Sequence, residues 1–155
     1  MTTCEYLDKS GSYHAKNEFE TVAKAIFDGT VDDVYDLFAK NVSDQIESLK
    51  DDIKKVQDHV DGSYVSNGSI GESSTSLKYD DNWIKYMLLG PQKVYTTTSC
   101  YFLNVYYCSI DDFDTNNMGV WNILIKKMEP DEEIRALCSY KDWTETPKYR
   151  GITLL

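Results

Sequence analysis

The sequence predicts an α+β fold, with helices in its N-terminal third and an antiparallel sheet after them. Three observations carry this. Apolar residues recur at helical spacing between Phe19 and Val60, Gly62 closes that region, and beyond it Tyr, Thr, Val and Phe dominate. A chain of 155 residues is one domain by size. Residues 1–12 read as a flexible N-terminal segment and 13–155 as the single domain.

Phe19, Val22, Ala23, Ile26 and Phe27 lie at i, i+3, i+4, i+7 and i+8, one stripe of a first helix, which Gly29 stops. Thr30 caps a second helix with Asp32 and Asp33 in its first turn, where the dipole favours anions. Asn41 and Val42 read as a break and Ser43 as the cap of a third helix. Ile46, Leu49, Ile53, Val56 and Val60 mark its apolar seam.

Tyr64 and Val65 begin the strands, and 67–76 reads as turn-rich, opened by Asn67-Gly68. Residues 83–89 suit a strand or a short helix, and Gly90-Pro91 breaks the run. Residues 93–110 give the longest strand signal and form a hairpin with 119–128 across the polar loop 111–117. Trp121, Ile123 and Ile125 fall on one face of that last strand, and Val120, Leu124 and Met128 on the other. Two apolar faces place it inside a sheet rather than at an edge. Residues 131–137 suit a short helix, and Trp143, Tyr149, Ile152, Leu154 and Leu155 a final strand or a tail over the core.

The formal charge of −10 argues against nucleic acid as a partner, because phosphate binding needs clustered Lys and Arg. Acidity is concentrated: ten Asp and Glu stand between positions 28 and 61, answered by Lys40, Lys50, Lys54 and Lys55. Such a face keeps a protein soluble or meets a basic protein. No apolar run is long enough to cross a membrane.

No catalytic set emerges from the spacing. Asp112, Asp114 and Asn116 match the start of a calcium loop, but Asn117 stands where Gly is needed and Ile123 where Glu is needed. His14 begins helix one, and His59 ends helix three, where the dipole favours its charged form. Cys100 and Cys108 lie in one strand, about 26 Å apart at 3.3 Å per residue, too far for a disulfide. Cys138 could pair with either. With no C-x-x-C and two His, neither a metal nor a cofactor is expected. Two sequons, at Asn41 and Asn67, carry little weight, and Glu72 and Asp80 are acids of the sheet half open to a catalytic role. The aromatic side chains are the stronger signal. Trp83, Tyr86, Tyr95, Tyr101 and Trp121 all fall in the sheet half, where flat rings with polar tips can line a site for a small molecule or a peptide.

Several patterns together carry a family resemblance across about 19–126: Ala25-Ile26-Phe27-Asp28-Gly29-Thr30, Asp36-Leu37-Phe38, the 44–62 helix closing on Asp61-Gly62, and Gly119-Val120-Trp121-Asn122-Ile123. The chain resembles an uncharacterised family of bacterial lipoprotein domains with the NTF2-like, cystatin-like fold. The resemblance implies a cone of helices on a curved antiparallel sheet, and a lipidated cysteine ahead of helix one, which here is Cys4. The hydrophobic leader that precedes such a cysteine does not stand ahead of Cys4 in this sequence. The resemblance implies no activity. NTF2-like sheets often pair, so a homodimer is compatible with it.

The leading expectation is a non-enzymatic binding domain of the cell envelope, outside the membrane and tethered through Cys4, with a protein or small-molecule ligand. The first rival is a cytoplasmic acidic inhibitor, an immunity or anti-defence protein that blocks a basic partner. The second is a small-molecule enzyme using an acid and a tyrosine inside the cone.

Overall fold

The structure, a computed structural model, describes residues 11–70, 72–133 and 150–155, with side chains omitted at 11–15, 72–77 and 79. The predicted stripe of Phe19, Val22, Ala23 and Ile26 becomes the buried face of α1 (Gly11–Asp28). The Gly29 N–H closes it on the Ala25 carbonyl at 3.0 Å. Thr30 then opens α2 (Val31–Tyr35) with a capping box: its Oγ1 accepts from the Asp33 N–H at 3.2 Å, and its own N–H donates to Asp33 Oδ2 at 2.8 Å.

The expected third helix is divided. Asn41 and Val42 lie inside α3 (Lys40–Ser43), Ser43 ends it instead of capping a helix, and Ser48 precedes α4 (Leu49–His59). Between them the Gln45 and Leu49 N–H groups bond three residues back, to Val42 and Ile46. This tight turning lets one segment serve two anchors. Ala39, just before α3, bonds to the sheet at Val120, whereas α4 packs along the last strand. Leu49, Ile53 and Val56 are buried, and Ile46 and Val60 are partly buried against the same core, so the seam survives the break.

Six strands follow: β1 (Tyr64–Asn67), β2 (Glu72–Tyr79), β3 (Asn82–Thr96), β4 (Cys100–Asp111), β5 (Gly119–Met128) and β6 (Gly151–Leu154). Their order is β1-β3-β4-β5-β6, and β2 shares the outer edge of β3 with β1. Pairing is antiparallel except for β5 with β6. The expected position of β5 inside the sheet agrees with this order.

Three readings of this region need correction. Residues 72–79, which overlap the turn-rich stretch 67–76 at 72–76, are a strand in continuous register from Glu72 opposite Leu89 to Tyr79 opposite Asn82. The serines offer no apolar alternation, so the strand is imposed by its partner and by a tight turn in which Asp80 takes a φ of 53°. Gly90-Pro91 does not break β3. The ladder skips from Leu89 to Gln92, and this bulge absorbs a proline that has no N–H to give. Finally, 93–110 is two strands, not one. The chain reverses at 97–99, where Thr96 Oγ1 accepts from the Ser99 N–H at 3.0 Å. Three consecutive threonines read as strand by propensity, but here their hydroxyl and backbone groups build the turn.

α1 and α4 cover the sheet face that carries Met87, Leu89, Tyr101, Leu103, Val105, Ile123 and Ile125. The opposite face is also buried at Phe102, Cys108 and Leu124. Val120, expected opposite Ile123, belongs to the helix-side core with it. A bulge explains this: Tyr106 faces Asn122 and Tyr107 faces Val120, so Trp121 is the extra residue and shifts the alternation. At the start of β5 the outer edge is closed by Phe38, which bridges Val120 in parallel; the Ala39 N–H donates to Val120 O and the Val120 N–H to Leu37 O, both at 2.9 Å.

Ile152 and Leu154 stand in β6 and Leu155 follows it. Residues 131–133 are not helical, and the rest of 131–137, with Cys4, His14, Cys138, Trp143 and Tyr149, lies outside the described residues or side chains.

Candidate functional site

The five aromatic residues singled out in the sequence do not form one site. Tyr101 is 1 % exposed, packs on Phe27 with ring centroids 5.1 Å apart, and accepts the Asp61 N–H at 2.8 Å. It clasps the end of α4 to the sheet. Tyr95 is exposed, but it stands nine residues from Tyr86 on β3, about 30 Å away at the usual strand rise. Trp83 packs against the core under Lys78, whose ammonium is 5.2 Å from the ring centroid, and the backbone N–H of Trp83 donates to Asp112 Oδ2 at 2.7 Å.

Tyr86 and Trp121 do meet. The β5 bulge aims Trp121 across β4, edge-on to Tyr86 at 5.9 Å, and Tyr86 stacks on Tyr106 at 5.6 Å. Trp121 Nε1 donates to Asn117 O at 2.8 Å, and the Arg150 guanidinium lies over its ring at 4.8 Å. Burial raises the Tyr86 hydroxyl's pKa, and burial, followed by the Asp111 charge, pushes the Cys108 thiol beside it up to about 12. Both groups therefore stay protonated across the physiological range and offer hydrogen bonds rather than nucleophiles. Alternation could have revealed Tyr106. Arg150 reaches Trp121 only through the strand pairing of β6 and left no local signal.

The loop after β4 uses its acids internally. Asp111 is buried; its Oδ1 accepts from the Phe113 and Asp114 N–H groups at 3.0 and 2.9 Å, and its Oδ2 from Asn117 Nδ2 at 3.0 Å. Asn41 Nδ2, from α3, donates to Asp114 Oδ2 at 3.0 Å and to Asn117 Oδ1 at 2.6 Å. The partial calcium pattern is thus a knot of side chains joining α3 to the hairpin. Among the described residues no three His, Cys, Asp or Glu side chains are placed to hold a metal.

Two arrangements were missed by the sequence reading. Glu18 is half-buried on α1 and hydrogen-bonds Tyr107 of β4; burial raises its pKa, and the tyrosine bond only partly offsets that. An acid next to Phe19, at the border of the apolar stripe, was the available signal. The second is a groove of about 580 Å³ between α1 and β1. Lys16, Glu20 and Lys24, at i, i+4 and i+8, form its helical wall; Tyr64, Ser66 and Asn67 belong to the strand wall. The Tyr64 hydroxyl donates to Asn67 Oδ1, which pins the ring along the strand. Burial, with Glu20 nearby, raises the Tyr64 pKa. The helical spacing was legible, but it reads as an ordinary solvated face until β1 is placed beside it.

Residues 21–129 match the family described as Domain of unknown function (DUF5104). The chain belongs to this family. The match covers more than half of the chain, from α1 to the end of β5, so it holds part of the groove's helical wall and all of its strand wall. No curated protein matches the chain.

Proposed function

We propose that this DUF5104 domain is a non-enzymatic binding domain of a bacterial cell-envelope lipoprotein, anchored through Cys4, with a ligand seated in the groove between α1 and β1. The NTF2-like cone is part of this reading, supported by helices laid on one face of a bulged, largely antiparallel sheet. The groove is the observation that carries it: an open polar cleft with Tyr64 in its strand wall, built on a helix and a strand that the sheet holds in place. It lies on the same helix that follows Cys4, so a tether there would present the cleft near the membrane surface.

The inhibitor reading rests on the acidic helical surface, where Lys40–Asp44, Lys50–Asp32 and Lys54–Asp58 ion pairs engage three of the ten acids between positions 28 and 61. The enzyme reading has one observation in its favour, the half-buried Glu18 bonded to Tyr107. Neither residue lines the groove.

The test is to express the full gene in a bacterial host fed alkynyl palmitate, and to screen the purified domain against envelope extracts. Label in the membrane fraction, lost in Cys4→Ser, is expected. Cytosolic, unlabelled protein overturns the tether. Conversion of an extract component, abolished in Glu18→Gln, overturns the non-enzymatic half.

A further inference from the structure

The groove's helical wall carries a charge order that specifies a partner. Lys16, Glu20 and Lys24 present plus, minus, plus along one line of α1, each four residues from the next. Four helical residues advance about 6 Å. Two residues of an extended chain advance about 6.6 Å, and side chains two apart share a face. A strand lying in the groove therefore meets the three charges in register at every second residue. Over the whole span the mismatch is about 1 Å, which long side chains absorb.

The three groups are also available. No ion pair engages Lys16, Glu20 or Lys24 among the described residues, whereas Lys40, Lys50, Lys54 and Lys127 all hold carboxylates. Other lysines, such as Lys55 and Lys126, are also in no ion pair among the described residues; what sets Lys16 and Lys24 apart is that they flank Glu20 along one wall of a cleft. Lys24 has its ammonium 5.6 Å from the centre of the Tyr64 ring.

The opposite wall can receive a strand. β1 pairs with β3 along one edge, and among the described residues no strand occupies the other. Asp28 Oδ1 accepts the Tyr64 N–H at 3.2 Å, so the first residue of the edge is capped. Val65 beyond it is 58 % exposed. An unpaired edge beside a charged helix offers main-chain hydrogen bonds for affinity and side-chain positions for selection.

We infer that the groove binds an extended peptide segment of a partner protein by adding it to β1, and that it selects an acidic, a basic and an acidic residue at alternate positions. This rests on the binding-domain reading and adds the ligand class. The chain's overall negative charge slows the approach of strongly acidic partners, and a segment with one compensating base reduces that repulsion.

The probe is a nine-residue synthetic peptide, blocked at both ends, with Glu, Lys and Glu at its third, fifth and seventh positions and Thr or Val elsewhere. The control exchanges the charges to Lys, Glu and Lys. Binding is followed by amide chemical shifts and calorimetry on the full chain. The first peptide is expected to bind at least about tenfold more tightly than the control, with shifts centred on 64–70. The triple variant Lys16→Glu, Glu20→Lys, Lys24→Glu, checked for unchanged circular dichroism, should reverse the preference. N-methylation of alternate peptide residues should abolish binding, because it removes the ladder donors. Equal binding of both peptides, no binding, or an unreversed preference in the triple variant overturns the peptide assignment. The lipid label and the extract screen do not depend on these peptides, so the binding-domain reading fails or stands separately.

Discussion

Glu18 is where a single side chain has most to say about this protein. Its carboxylate is half out of water between α1 and β4, and burial raises its pKa despite the hydrogen bond to Tyr107. A raised carboxyl pKa means that the fold favours the protonated form. That contribution is complete below the unfolded value of about 4.3 and is lost as pH rises through the higher folded value. Glu18→Gln keeps a neutral hydrogen-bonding group there at all pH values. Urea midpoints should place the variant level with the parent near pH 4 and above it near pH 8. A variant equally destabilised at both pH values would show that the ionised form is at ease in the fold. Thr30 gives a second prediction at this scale. Its capping box satisfies two exposed N–H groups at the start of α2, and Thr30→Ala should cost about 1 kcal/mol in urea unfolding, with an unchanged m-value.

At the scale of elements, legibility followed local chemistry. The first stripe, the Thr30 cap and the β4–β5 hairpin could be read because each is written in neighbouring residues: Phe19 to Ile26, Thr30 with Asp33, and the polar 111–117 loop. β2 was hidden because its partner dictates it, and Gly90-Pro91 misled because a bulge inside a paired strand tolerates what a lone strand would not. Of the candidate site, Tyr86 and Trp121 were legible as aromatic residues, but their meeting depends on one unpaired residue in a bulge. The junction of the two halves was equally silent, although Gly119 marks it. Its φ is 127°, and a Cβ there would sit 2.7 Å from the Ala39 nitrogen. That nitrogen is the donor to Val120 that closes the edge of β5. Gly119→Ala should thus cost about 1–3 kcal/mol from backbone strain alone. Hydrogen exchange should speed up at Ala39 and Val120 before it does in β3. Unchanged protection at those two amides would mean that the bridge contributes nothing to the edge.

Across the whole molecule, the helices and the sheet share one continuous core, from Phe19 and Ile53 through Tyr101, Leu103 and Ile123 to Ile152. Such a core predicts that the sheet opens only with the global transition, and two cysteines report on it from opposite ends of β4. Cys100 is 2 % exposed and Cys108 0 %, and burial raises both thiol pKa values. In a Cys4→Ser, Cys138→Ser background, a disulfide reagent at pH 8 can reach them only through opening. For an ordinary domain stability of about 5–10 kcal/mol, the equilibrium holds labelling back by about 10⁴- to 10⁷-fold. If the sheet is one cooperative unit, both sites label at a common slow rate, and that rate rises with urea along the slope of global unfolding. Fast labelling of Cys100 with Cys108 still protected would instead locate a separable unit at the end of the sheet where Tyr95 and β1 lie. That outcome would bear on binding as well, because β1 is the strand to which a peptide would be added, and an edge that frays by itself pays an ordering cost each time it takes a partner.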